Sequence, residues 1–135
     1  MRKIVADVNV EGHVIALLEI LERSDWLYYL QALDVRLMTF ADLGLAPNSP
    51  DDDVWHTIQR HEVIMITDNR NSNSVNSLQV TIDNHNTLSS LPVITISDVQ
   101  RFKRDSDFAL KAAEQLMEYL ADLEDYRGTG RLYIP

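Results

Sequence analysis

Short apolar runs alternate with longer stretches of helical spacing along this chain. Lys3 to Val8 is β-rich and reads as a strand with Asp7 at its C-terminal end. Val14, Ile15, Leu17, Leu18 and Leu21 then recur at helical intervals, predicting a helix that starts near Glu11-Gly12. Trp26, Leu27, Leu30 and Leu33 give a second helical stretch, and Val35 to Phe40 reads as a second strand. Ala41 to Asn48, with Gly44 and Pro47, is a loop. Ser49-Pro50-Asp51-Asp52 is a helix start: Ser49 suits the N-cap, Pro50 the first helical position and Asp52 a capping-box acid. That helix runs through Val54, Trp55 and Ile58 to Arg60.

Val63 to Thr67 is almost continuously apolar, as a strand buried on both faces of a parallel sheet should be. Asp68 to Asn73 is a polar turn. Val75, Leu78, Val80 and Ile82 fit a helix, Val93 to Ile96 another buried strand, and Asp107 to Tyr126 a clear amphipathic helix with Phe108, Ala112, Leu116, Tyr119, Leu120 and Leu123. The tail Arg131 to Pro135 is a final strand or a docking arm. The alternation predicts one α/β domain over residues 1–135, with a mostly parallel central sheet of four or five strands flanked by helices on both faces.

Composition narrows the function classes. With 45% apolar and 24% charged residues, the chain is an ordinary globular protein. It has no cysteine, which excludes disulfides, thiolate metal sites and cysteine nucleophiles. An acid follows the N-terminus too soon for a signal-peptide core, and no apolar run approaches the ~20 residues of a membrane span, so a cytoplasmic location is expected. Twelve Lys/Arg against 21 Asp/Glu give a net charge of −9. Such a chain binds nucleic acid only if a divalent metal or a local basic patch offsets that charge.

Candidate chemistry gathers at strand ends, where sites form in open α/β sheets. The first strand ends in Asp7, the third in Thr67-Asp68 and the fourth in Ser97-Asp98; Asp51, Asp52 and Asp53 open the helix after the second. Carboxylates clustered on one rim attract hard cations such as Mg²⁺ or Mn²⁺, which support phosphodiester hydrolysis. Each acid also has a plain structural role open to it. Asp51 to Asp53 complement a helix dipole, Asp98 caps the segment from Val99, and Asp68 opens a turn. The four histidines form no metal motif; His13, beside Gly12 in the turn after Asp7, is the one nearest candidate chemistry. No P-loop, dinucleotide fingerprint or nucleophile elbow is present.

The strand ending in Asp7, Leu43-Gly44-Leu45, the acidic helix start at Asp51 to Asp53 and Ile64-Met65-Ile66-Thr67 with its polar loop resemble PIN-like domains. Thr67 to Asn71, Leu91-Pro92-Val93 and Gly130 to Pro135 are similar to a cyanobacterial branch of uncharacterised PIN-like proteins related to VapC-type toxin ribonucleases. The resemblance implies an acidic, Mg²⁺- or Mn²⁺-binding pocket that cuts RNA. Carried over by residue, Asp7 matches the first family acid, and one of Asp51 to Asp53, with Asp53 chosen, matches the acid on the following helix. The family's Thr-x-Asp-x-Asp is here Thr67-Asp68-Asn69-Arg70-Asn71, so Asn69 and Asn71 stand where acids are usual, and Arg70 becomes a candidate for gripping a phosphate.

Three functions compete. The first is a metal-dependent ribonuclease of PIN type, toxin-like or RNA-processing, with Asp7, Asp53 and Asp98 on the metal and Asn69 and Asn71 completing the shell. The second is a non-catalytic interaction protein, with a homodimer or other partner surface formed by the C-terminal helix and the apolar tail. The third is a haloacid-dehalogenase-like phosphatase built on Asp7-Val8-Asn9-Val10, which lacks the second Asp and a suitable lysine.

Overall fold

The computed structural model describes all 135 residues. Five strands, β1 (Arg2–Ala6), β2 (Val35–Met38), β3 (Ile64–Thr67), β4 (Val93–Ile96) and β5 (Arg131–Ile134), form one sheet in the order β2-β1-β3-β4-β5. Every neighbouring pair is parallel. Six helices link them: α1 (Glu11–Glu22), α2 (Leu27–Leu33), α3 (Asp51–Arg60), α4 (Leu78–His85), α5 (Val99–Arg104) and α6 (Ser106–Ala121). None of the helices is long and apolar enough to cross a membrane.

Strand alternation sorts the core into two layers. Ile4, Ala6, Ile64, Ile66, Ile94, Ile96 and Ile134 belong to a core of 22 buried residues shared with α1 and α6. Val5, Met65 and Val93 belong to a core of 11, packed with Trp55 and Ile58 of α3 and Leu78 and Ile82 of α4. The sheet is therefore covered on both faces, and its inner strands β3 and β4 are buried throughout. The edge strand β2, with Arg36 and Leu37 exposed, is the least covered.

Several local expectations change in the folded chain. Gly12 and His13 lie within α1, not in a turn. Ser49 does not cap α3; its Oγ accepts the Ala46 N–H at 2.9 Å, and Asp52 Oδ1 accepts only the Asp53 N–H. A short helix, α5, occupies 99–104 where no separate helix was expected. The long C-terminal helix stops at Ala121 and continues as a 3₁₀ turn over Leu123–Tyr126. Its apolar face, Ala112, Ala113, Leu116, Met117 and Leu120, is fully used by the core, and the tail is strand β5.

Candidate functional site

Chain order changes direction beside β1. From β1 the chain crosses to β2 on one side and then returns to β3 on the other, so a crevice opens between the C-terminal ends of β1 and β3. Asp7 follows β1 there, held by its backbone N–H to the Ile66 carbonyl at 2.9 Å. Thr67 ends β3 on the side of the smaller core, fully buried, and its hydroxyl donates to Asp7 Oδ2 at 2.7 Å. The same Oγ1 accepts the Asn69 N–H at 3.0 Å, which turns the chain away from the sheet.

The acid that meets Asp7 is Asp51, not Asp53. Both face the choice set by α3, whose Val54, Trp55 and Ile58 are buried. Asp51 stands three and four residues before the first two of these and shares their side of the helix, whereas Asp53 is exposed. Asp51 Oδ2 accepts the Asn69 side-chain N–H at 2.9 Å and the Leu78 N–H, at the start of α4, at 3.1 Å. A carboxylate at that helix start also complements its dipole. Asp7, Asp51, Asn69, Asn9 and Ser49 line one cavity of about 150 Å³, with Met65, Val54 and Leu78 among its apolar walls. No Lys or Arg lines it.

Burial pushes the Asp7 carboxyl above its ordinary range, and the charges of Asp68 and Asp51 push it further. The Thr67 hydroxyl opposes that shift by stabilising the carboxylate. The pocket therefore holds one poised acid beside a second carboxylate, with no cationic side chain between them.

The other expected site residues lie elsewhere. Asp98 is exposed and caps α5, accepting the Arg101 N–H at 2.9 Å. It lines a second depression of about 310 Å³ with Asp68, Arg70 and Ser97. Arg70 is exposed there, its Nη2 donating to the Ser97 carbonyl at 2.8 Å while its guanidinium lies 6.0 Å from the Tyr133 ring centre. Asn71 is exposed and turns the loop, its Oδ1 accepting the Asn73 N–H. Asn69 Oδ1 accepts the Asn71 N–H at 2.8 Å, which fixes its amide with nitrogen toward Asp51. Asn69 thus positions Asp51 and has its oxygen occupied.

Arg131 is a support that the linear sequence did not reveal. It pairs with Val93 across the sheet, on the side of α3 and α4. Its Nη1 donates to the Asn69 carbonyl at 2.8 Å and to Thr95 Oγ1 at 2.7 Å, and its Nε to Gln79 Oε1 at 2.8 Å. Burial, with the nearby charge of Arg70, lowers its pKa from the usual guanidinium value. The available signal was alternation: Leu132 and Ile134 mark the apolar side of β5, leaving Arg131 on the other.

The expected trio Asp7, Asp53 and Asp98 is not assembled, and no three His, Cys, Asp or Glu side chains gather as a cation-binding group. What remains is Asp7 and Asp51, each with one carboxylate oxygen outside the hydrogen bonds to Thr67, Asn69 and Leu78. That donor set fits Mg²⁺ or Mn²⁺ held by two carboxylates and otherwise by water or a phosphate, the usual habit of Mg²⁺. It does not fit an ion caged by protein alone. Comparison of the chain with family models, with curated proteins and with solved structures finds no match, so the functional reading rests on this geometry.

Proposed function

We propose that the chain is a PIN-like ribonuclease whose site is the crevice between β1 and β3, with Asp7 and Asp51 holding one Mg²⁺ or Mn²⁺. The observation that carries this reading is the convergence of two carboxylates on one 150 Å³ cavity at the switch point of the sheet, one of them raised in pKa and neither paired with a cation. A bound ion would supply positive charge to a phosphoryl oxygen and acidify a water. The protein's own part is positional. Thr67 fixes Asp7, Asn69 and the Leu78 N–H fix Asp51, and Arg131 holds the Asn69 carbonyl and so the loop between them. A volume of that size accommodates a hydrated ion or a phosphate but not a whole nucleotide, so a strand would lie across the mouth and present its backbone.

One observation favours a second reading. The Asn69 amide already gives Asp51 a neutral donor, a closed arrangement that needs no cation and suits a binding protein descended from a nuclease. Calorimetric titration with Mn²⁺, followed by incubation with single-stranded RNA, separates the two. Saturable binding and cleavage in the wild type, both lost in Asp7→Ala and Asp51→Ala and both kept in Asp53→Ala, are expected. Absence of Mn²⁺ binding in the folded wild type would sink the nuclease reading and leave the binding protein.

A further inference from the structure

A larger cleft lies away from the carboxylates, between α1 and the α5–α6 pair. Its volume is about 610 Å³, within the range of small-molecule sites. Ala16 and Ile20 of α1, with Phe102 of α5 and Ala109 of α6, form an apolar floor, and Lys103 and Arg104 stand on its rim. No acid lines it, in a chain whose net charge is −9. A second cleft of nearly equal volume, about 590 Å³, is edged instead by Glu22 and Asp34 and has no cation. Of these two large clefts, only the first has a basic rim.

Gly12 and His13 of α1 stand at the mouth of this cleft. Gly12 sits in the first turn of α1 and is exposed. Neither backbone nor packing requires it: its φ is not positive, and an added Cβ would meet nothing within 4 Å. Next to it, His13 lines the cleft with its ring 5.4 Å from that of Phe102, and its Nε2 is out of water without a hydrogen-bond partner.

We propose that this cleft binds a small organic anion with a flat apolar body, its ring lying against Phe102 and Ile20 and its phosphate, sulfonate or carboxylate on Lys103 and Arg104. The Ser106 hydroxyl supplies a polar contact that orients it, and the His13 ring forms part of the wall. Charge alone does not define the ligand, because Lys103 and Arg104 are exposed and an inorganic anion would gain little from them. The apolar floor supplies most of the affinity and the cations choose its sign.

The probe is 8-anilinonaphthalene-1-sulfonate, titrated by fluorescence into the folded full-length chain. Near-UV circular dichroism and cooperative unfolding establish that each sample is native. Saturable binding at one site is expected in the wild type. Gly12→Leu, whose Cβ meets nothing within 4 Å, projects a side chain into the mouth and should lose binding at least about tenfold while staying native by both criteria. Lys103→Gln/Arg104→Gln, a surface change that leaves the floor intact, should weaken binding by about tenfold. Glu22→Gln, at the acidic cleft, and Asp7→Asn, at the carboxylate crevice, should leave it unchanged. Inorganic phosphate at equal concentration should not displace the dye. Undiminished binding in either cleft variant, loss in Glu22→Gln or Asp7→Asn, displacement by phosphate alone, or no saturable binding by native wild type overturns the proposal.

Discussion

The two faces of the sheet are made by the same five strands yet do different work. Toward α1 and α6, the strands present isoleucine to the end: Ile66, Ile96 and Ile134 are as buried as Ile4 and Ile64. Toward α3 and α4, the apolar rows Val5, Met65 and Val93 give way to Thr67, Thr95 and Arg131. The first face has twice as many buried core residues, 22 against 11. It therefore provides most of the apolar stabilisation, and the second can accommodate buried polar groups whose net contribution is small. Stability and chemistry are divided by strand parity, one residue apart in sequence.

Substitutions that test this division should fall in a definite order. Leu116→Ala, in the larger core, should cost about 2–5 kcal/mol in urea unfolding and leave Mn²⁺ affinity of the folded fraction unchanged. Arg131→Met on the other face keeps much of the side-chain bulk but removes three hydrogen bonds, freeing the Asn69 carbonyl. It should cost about 1–3 kcal/mol and also weaken Mn²⁺ binding, because the loop that orients Asp51 loosens. If Arg131→Met moved stability alone, the polar face would be structural and the division false. Smaller again, Asp51→Ala should cost about 1–2 kcal/mol by leaving the Leu78 N–H and the Asn69 amide unpaired. Asp53→Ala, on the exposed side of the same helix, should stay within about 0.5 kcal/mol. Equal losses for Asp51 and Asp53 would contradict the facing of α3.

How much of this was legible beforehand follows the same physics. The strands and their parallel arrangement were readable because Val63 to Thr67 and Val93 to Ile96 are apolar on both parities, which a parallel sheet between two helix layers demands. The place of Asp7 at the end of β1 was readable because the β-rich run from Lys3 stops there. Choosing Asp53 over Asp51 was a failure to extend the helix's own period backwards from Val54, Trp55 and Ile58. Asp98 misled because strand-end position does not specify direction: its carboxylate turns back to cap α5. Arg131 was hidden for a different reason. Its partners Asn69, Gln79 and Thr95 lie 36 to 62 residues away, and only the closed sheet brings β5 beside them.

The finest test of the division lies in the pH dependence of one carboxyl. Burial raises the Asp7 pKa above its model-peptide value of 3.8, so the folded chain holds that proton more tightly than the unfolded chain does. The stability this group adds is therefore fully present below the unfolded pKa and is lost as pH rises through the folded one. Once ionised, the carboxyl costs stability, and Asp7→Asn, whose amide oxygen can still accept the Thr67 hydroxyl, should recover it. Urea midpoints of wild type and variant should thus differ at pH 7, the variant being the more stable, and converge as pH falls below 4. Mn²⁺ should reverse the order at pH 7 by stabilising only the wild type, since a ligand that binds the folded state alone raises its stability. A variant less stable than wild type at pH 7 without metal would mean that the Thr67 bond outweighs burial. Asp7 would then be a structural anchor, and the chemical face would have lost its poised acid.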